Sequence, residues 1–151
     1  MQVVVKWIDG VSFVGESETG HAVVLDGAPE NGGRNIGMRP MEMLLIGMGA
    51  CTSFDVVTIL KKARQPFVDC VAEIAAERAD EIPKVFTKIN VHFVVTGDNL
   101  NATQVERAVK LSAEKYCSAS IMLAKSVEIT HSFEIKTSEI KTSEIIPTQS
   151  A

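Results

Sequence analysis

One long apolar segment does most to limit the folds open to this chain. Residues 41–60 read MEMLLIGMGACTSFDVVTIL, and the preceding Pro40 suits the first turn of a helix. Apolar and small residues recur at helical spacing until Pro66 ends the pattern. The segment is long enough to span a bilayer. It also carries Glu42 and Asp55, and an acid near a bilayer centre costs up to about 2.5–3.5 kcal/mol. We therefore expect a buried helix and no membrane partner.

Composition excludes several classes of protein. The chain has 151 residues, 46% of them hydrophobic, which is enough for the core of one domain. Its net charge is −4, its basic residues are not clustered and only 5% of its residues are aromatic, so nucleic acid is not an expected partner. The N-terminal MQVVVKWIDG does not resemble a secretion signal. Three cysteines without a CxxC motif fit a reducing cytoplasm, where we expect the protein to be.

Patterning along the rest of the chain predicts short strands and further helices. The Val-rich residues 1–26 contain Asp9-Gly10, a hairpin signal, and predict a small antiparallel meander. An exposed, mobile loop rich in glycine is expected over 27–40. Two longer strands, a helix and a final strand are predicted over residues 68–78, 86–97, 101–116 and 127–136. We assign 1–136 to a single domain and 137–151 to a C-terminal tail with a short KTSEI repeat.

The chemistry of the long helix centres on Cys51, which lies in the run GMGACTSFDVV. Taken alone, a cysteine on an apolar helix is more often packed and inert, since free cysteines are among the most buried residues. The alternative is a nucleophile within reach of a small oxidant. Asp55, one turn later, is interpreted as a local or interface hydrogen-bond partner, and Cys70 as a structural strand residue. Neither the cysteines nor the three scattered histidines have metal-ligand spacing, so no metal site is expected.

Two strings together resemble a known family. RPMEMLLIGMGACTSFDVVTILKK, followed further along the chain by LSAEKYCSASIMLAKSVEITHSFEI, resembles the OsmC/Ohr family of osmotically induced and organic hydroperoxide resistance proteins. The helix opened by proline, the small residues before its cysteine and a second cysteine after AEKY carry the resemblance. It covers nearly the whole chain outside the tail and is nearest to the short, single-domain OsmC-like branch. The resemblance implies an α+β fold with two antiparallel sheets around long central helices. It also implies an intertwined homodimer with active sites at the subunit interface.

The resemblance implies an activity as well. Cys51 would be the peroxidatic cysteine and Cys117 the resolving cysteine of a hydroperoxide reductase with peroxiredoxin-type activity. Such an enzyme reduces organic or inorganic hydroperoxides in oxidative or osmotic stress defence. It draws electrons from a dithiol reductant and uses no metal, haem or other cofactor.

The polar support for Cys51 departs from the family pattern. Active peroxidases of the family use an Arg–Glu pair, for which Arg34 and Glu42 are the candidates here, with Arg39 second. The family glutamate directly follows the proline, where this chain has Met41, and one residue along a helix is a rotation of about 100°. This departure keeps an alternative open. The chain could be a non-enzymatic OsmC-like stress protein that binds a small apolar ligand or senses redox state.

Overall fold

The computed structural model describes residues 1–138. The chain divides into two compact units, Met1–Cys51 and a second that begins at Thr52. The division falls inside one continuous helix, so that helix contributes to both units. The single domain over 1–136 stays a prediction, and the KTSEI tail lies almost entirely outside the described residues.

The first unit contains a three-stranded antiparallel sheet in the order β1-β2-β3. Its strands are β1, Val3–Asp9, β2, Ser12–Ser17, and β3, Ala22–Leu25, and a short 3₁₀ turn follows at Pro29–Asn31. Gly10 has a φ of +53° in the turn between β1 and β2, a conformation that glycine adopts without strain. The predicted meander and its Asp-Gly turn are therefore confirmed.

The glycine-rich loop after β3 is attached to one buried carboxylate, which the sequence did not reveal. Asp26 accepts the backbone N–H groups of Gly27, Arg34 and Ile36 at 2.8–3.1 Å. It also accepts the hydroxyl of Ser12 at 2.9 Å. These hydrogen bonds, that of Ile36 first, outweigh burial and hold the pKa of Asp26 at about 2.

Helix α1, Pro40–Lys62, begins at the predicted proline. Its buried side is a stripe in which every fourth residue is buried, made of Met48, Thr52, Val56 and Leu60. By length and composition α1 could cross a membrane, and 28% of its most apolar window is buried within the described residues. The helix is thus less buried than the sequence predicted, since Leu44, Ile46 and Phe54 are each at least half exposed within the described chain.

The second unit contains the sheet β4-β5-β6, formed by Phe67–Arg78, Phe86–Gly97 and Glu128–Lys136. Strands β4 and β5 are antiparallel, whereas β5 and β6 are parallel, with Lys88 opposite Glu128. The α+β class is confirmed, but this sheet is mixed rather than wholly antiparallel. The reason is the helical connection between β5 and β6, since a crossover returns the chain in the same direction.

That connection contains three helical pieces. Helix α2 spans Ala102–Leu111, a π-helical turn spans Ser112–Tyr116, and helix α3 spans Ser118–Leu123. Asn101 caps α2 by accepting the backbone N–H of Gln104 at 3.2 Å, as its position predicted. Helix α2 packs against β6. The π-helical turn replaces the last turn of the helix predicted over 101–116, and Cys117 follows it directly.

The core of the second unit lies between the sheet and α2. The sheet contributes the fully buried side chains of Val91, Phe93 and Val95, and α2 contributes Val105 and Ala108. Alternation along β5 predicted the first three, because successive residues of a strand face opposite sides. This packing fixes the position of the π-helical turn that follows α2.

Candidate active site

Helix α1 and the segment before α3 bring three potential ligand or nucleophile atoms together. The sulfur atoms of Cys51 and Cys117 and a carboxylate oxygen of Asp55 all lie within 4.8 Å of one another. Cys51 and Asp55 are one turn apart on α1, so they share a face of the helix. Cys51 is the last residue of the first unit, and the next residue along α1, Thr52, is buried. The two cysteines singled out in the sequence are therefore close in the structure.

A buried hydroxyl pair joins α1 to the π-helical turn. The Ser112 hydroxyl lies 2.8 Å from the Thr52 hydroxyl. It also lies 3.2 Å from both the Thr52 carbonyl oxygen and Oδ2 of Asp55, to either of which it can donate its single proton. This network orients the Asp55 carboxylate. The sequence interpretation of Asp55 as a local hydrogen-bond partner agrees with it.

Cys117 occupies the N-cap position of α3 and is fully buried. Its Sγ accepts the backbone N–H of Ser120 at 3.4 Å and the Ser120 hydroxyl at 3.2 Å. Two donors directed at one sulfur stabilise negative charge on it. Sequence reasoning missed Ser120. The available signal was a polar residue three positions after Cys117 at the head of a helical turn.

The cysteines differ in accessibility and surroundings. All three are thiols; Cys51 and Cys70 are half-buried, and Cys117 is buried. Burial, with a smaller contribution from Asp69, raises the pKa of the Cys70 thiol. A raised pKa keeps a thiol protonated and therefore poorly nucleophilic. This agrees with the interpretation of Cys70 on β4 as a structural residue.

The guanidinium groups of the two candidate arginines are engaged within the first unit. Nη1 of Arg34 lies 3.5 Å from Oδ2 of Asp9. Arg39 donates from Nη1 to the Gly37 carbonyl oxygen at 3.0 Å and from Nη2 to Oδ1 of Asn35 at 2.9 Å. These contacts organise the glycine-rich loop.

Glu42 lies in the first turn of α1 and caps the helix. Its Oε2 accepts the backbone N–H of Arg39 at 2.8 Å, which satisfies a group that lacks a partner within the helix. The exposed Glu42 carboxylate therefore contacts the backbone of an arginine and not a guanidinium group. The supporting roles of Arg34 and Glu42 at Cys51 stay predictions.

A cavity of about 240 Å³ adjoins Asp55. Its walls come from α1, the end of α2 and the π-helical turn, and its lining residues are Asp55, Thr58, Ile59, Lys62, Leu111 and Tyr116. A larger cavity of about 610 Å³ lies between α2 and β6, and neither cysteine of the pair lines it. Cys51 and Cys117 do not line the smaller cavity either, and Asp55 is the residue that this cavity shares with the cysteine cluster.

Comparison with known proteins gives the same family as the motifs. The model of the OsmC-like protein family matches residues 32–132. Protein YhfA of Escherichia coli K12 is 51% identical over 135 residues, which are 89% of this chain and 98% of that protein. A crystal structure of a hypothetical protein from Aquifex aeolicus VF5 is 32% identical, with a TM-score of 0.80 over 91% of this chain and 97% of that one. An organic hydroperoxide resistance protein OsmC from Legionella pneumophila shares the fold at 18% identity, with a TM-score of 0.68 over 89% of this chain and 97% of that one. The resemblance is confirmed, and the chain belongs to the OsmC-like protein family.

Proposed function

We propose that this protein is a thiol-dependent peroxidase that reduces hydroperoxides through Cys51 and Cys117 in defence against oxidative or osmotic stress. One observation carries the proposal: the two sulfur atoms lie within 4.8 Å of each other, the first half-buried and the second buried. Membership of the OsmC-like family supports a stress-related activity of the peroxidase type. The cysteine roles, the substrate and the reductant are part of the proposal.

In the first step the Cys51 thiolate attacks the terminal oxygen of a hydroperoxide ROOH. The O–O bond breaks, the alcohol ROH leaves after taking a proton, and Cys51 becomes a sulfenic acid. Two electrons pass from sulfur to the peroxide. Cys51 is assigned this step because it is the more accessible of the two sulfurs.

In the second step the sulfur of Cys117 attacks the sulfenic sulfur of Cys51. An S–S bond forms and water leaves. The final S–S length is about 2.05 Å, so side-chain rotations must close the present separation of at most 4.8 Å. Ser120 stabilises negative charge on the attacking sulfur. A dithiol then restores both thiols by exchange and leaves as its own disulfide, so the cycle balances with thiols alone.

The cavity beside Asp55 supports a small organic hydroperoxide as the substrate. Ile59, Leu111 and the ring of Tyr116 give it apolar walls, and about 240 Å³ suffices for a compact organic group. Burial of that group adds binding free energy that hydrogen peroxide cannot obtain. We therefore propose a preference for organic over inorganic peroxides.

We further propose that the protein works as a cytoplasmic homodimer. Helix α1 presents an exposed stripe at spacings of three and four residues, made of Leu44, Gly47, Ala50 and Phe54. Phe54 is 72% exposed, and a Cβ added to Gly47 would meet nothing within 4 Å. The same stripe of a second copy would bury these residues and leave room for two helices to approach closely.

Strand β1 gives a second reason for a partner copy. It is an edge strand, and all seven of its residues, VVVKWID, are exposed. An exposed apolar edge strand promotes aggregation unless another chain covers it. A homodimer covers this edge in a defined way.

Peroxide consumption tests the proposed enzyme. Cumene hydroperoxide and hydrogen peroxide are supplied with a dithiol reductant to the wild type, Cys51→Ser, Cys117→Ser and the matched control Cys70→Ser. We expect turnover by the wild type and by Cys70→Ser, and none by Cys51→Ser. Cys117→Ser should accumulate a sulfenic acid that dimedone labels. Full turnover by Cys51→Ser would contradict the proposal.

The same assay tests the alternative of a redox sensor. The contacts of Arg34 with Asp9 and of Arg39 with Asn35 favour it, because these guanidinium groups are engaged in the first unit. A sensor oxidises Cys51 once and does not cycle when excess dithiol is present. If the wild type is oxidised only once per Cys51 and does not turn over, the redox sensor becomes the supported function and the peroxidase is contradicted.

A further inference from the structure

We propose that Cys51, Asp55 and Cys117 form a binding site for a zinc ion, which competes with hydroperoxide for the two sulfurs. The inference uses the same residues as the proposed peroxidase but does not require turnover. Its first support is the distance of at most 4.8 Å between every pair of the three donor atoms.

The donor set fits zinc in chemistry and in size. Two thiolates and a carboxylate are ligands that zinc accepts, at about 2.3 Å for sulfur and 2.0–2.2 Å for oxygen. In a tetrahedral site with these bond lengths, two sulfurs are about 3.8 Å apart. Donor atoms that are at most 4.8 Å apart reach this geometry when each moves inward by about 1 Å or less.

The order of the ligands along the chain explains why the sequence predicted no metal site. Cys51 and Asp55 are four residues apart on α1 and share a face of that helix. Cys117 arrives from the segment between the π-helical turn and α3. Motifs such as CxxC identify only metal ligands that are neighbours in sequence. They do not identify a site assembled by the fold.

Outer hydrogen bonds already hold two of the three ligands. Ser112 lies 3.2 Å from Oδ2 of Asp55, and Ser120 donates to Sγ of Cys117 from its hydroxyl and its backbone. Partners of this kind orient metal ligands, and their loss typically lowers metal affinity 10- to 100-fold. Three protein ligands leave the fourth position for water, and Cys51 and Asp55 are half-buried whereas Cys117 is buried.

Zinc binding converts both thiols to thiolates and releases two protons, and no electrons are transferred. Both sulfurs then have a bond to the metal. They are therefore withdrawn from attack on peroxide until the ion leaves. The same ion would protect Cys51 from oxidation when no reductant is available.

Cobalt(II) is the probe for the test, because it takes the place of zinc and reports its ligands by colour. It is titrated into reduced, metal-free protein from which the reductant has been removed. We expect one ion per chain, a near-ultraviolet band from thiolate-to-cobalt charge transfer and the visible bands of a tetrahedral ion. Zinc should displace the cobalt and abolish the spectrum.

Variants assign the ligands. We expect Cys51→Ser and Cys117→Ser to lose the charge-transfer intensity and Cys70→Ser to keep it. Asp55→Asn should weaken binding at least tenfold, and Ser112→Ala about tenfold. Thermal unfolding confirms that each variant is folded. Cys117 is buried, so Cys117→Ser is the variant whose folding is most at risk. If it does not fold, Cys51→Ser and Asp55→Asn suffice to assign the ligands.

Two outcomes would overturn the zinc site: a cobalt complex without thiolate bands, or unchanged affinity in Cys51→Ser and Asp55→Asn. Peroxide turnover is measured separately in the presence of a chelator. Turnover without cobalt binding would contradict the zinc site and support the peroxidase. Cobalt binding without turnover supports the zinc site and removes the peroxidase.

Discussion

Asp26 acts on the glycine-rich loop as a capping residue acts on a helix. Its carboxylate accepts backbone N–H groups that would otherwise lack partners, from Gly27, Arg34 and Ile36. In the sequence it is an ordinary acid before a glycine, at the end of a short strand. Its hydrogen-bond partners lie up to fourteen residues away along the chain, so no local pattern identifies them.

The lowered pKa of Asp26 predicts a change of stability in acid. The folded value of about 2 lies below the value of about 3.9 in an unfolded chain, so the ionised carboxylate stabilises the fold above about pH 4. That contribution is lost as the pH falls from about 4 to about 2. We expect Asp26→Asn to lower the melting temperature at pH 7 and to flatten the pH dependence of stability within this window.

Thermal unfolding between pH 7 and pH 2 measures the effect of Asp26→Asn. The exposed Asp80 provides the control, and Asp80→Asn should follow the wild type throughout. If the melting temperatures of Asp26→Asn and the wild type fall equally steeply with pH below pH 4, the Asp26 carboxylate does not have this role.

Ser120 predicts a selective effect on the second chemical step. Ser120→Ala removes the hydroxyl that donates to Sγ of Cys117 at 3.2 Å and keeps the backbone donor. A hydrogen bond of this kind contributes about 0.5–1.5 kcal/mol, so disulfide formation should slow by about two- to tenfold. Oxidation of Cys51 to the sulfenic acid should keep its rate.

Stopped-flow mixing with peroxide separates the two steps of the Ser120→Ala variant. Ser126→Ala is the matched control, because the Ser126 hydroxyl donates to the Leu123 carbonyl oxygen at 3.4 Å. If Ser120→Ala slowed both steps equally, the hydroxyl would act on the whole site and not on Cys117.

At the scale of elements, α1 has one buried stripe and one exposed stripe. A Cβ atom at position 47 meets nothing within 4 Å, and replacing Gly47 with leucine removes the helix penalty of glycine, which is about 0.8–1.0 kcal/mol relative to alanine. The helix should therefore form at least as well. In the proposed dimer the same side chain would prevent close approach of a second helix. We expect Gly47→Leu to be folded and mainly monomeric.

Sedimentation velocity and circular dichroism together measure the effect of Gly47→Leu. Lys61→Ala, at an exposed position in the last turn of α1, is the control and should remain dimeric. A Gly47→Leu protein that stays fully dimeric would place the interface elsewhere.

Sequence patterns predicted the elements well and their pairing less well. Alternation identified β5, proline placed the start of α1, and the Asp9-Gly10 pair placed the first turn. The direction of β6 relative to β5 was missed, because alternation is the same in parallel and antiparallel strands. The π-helical turn was also missed, because residues 112–116 suit an ordinary helix equally well.

For the whole molecule, the proposed homodimer makes thermal stability depend on concentration. Association with a second copy stabilises the folded chain by mass action. The melting temperature should therefore rise steadily over an about hundredfold increase in protein concentration. Differential scanning fluorimetry or calorimetry measures it. A constant melting temperature over that range would indicate a monomer.

The candidate site was predictable in its residues but not in its geometry. The family motifs identified Cys51 and Cys117, but only the fold shows that their sulfurs are within 4.8 Å. Asp55 was noticed as a neighbour of Cys51, whereas its partner Ser112 lies far along the chain. Arg34 and Glu42 show the opposite case. Their residue types suit the family's Arg–Glu pair, but in the structure Arg34 contacts Asp9 and Glu42 accepts the backbone N–H of Arg39.

The parallel pairing of β5 with β6 also bears on how the protein is made. Lys88 pairs with Glu128, which is synthesised forty residues later, so until then β5 has no neighbouring strand on that side. During synthesis both cysteines are therefore already part of the chain while one edge of β5 is still open. Pairings between distant residues form slowly and leave edges exposed during folding. Synthesis of β6 is thus the event that closes this edge of the second sheet, and a chain that stops before residue 128 leaves that edge of β5 unpaired.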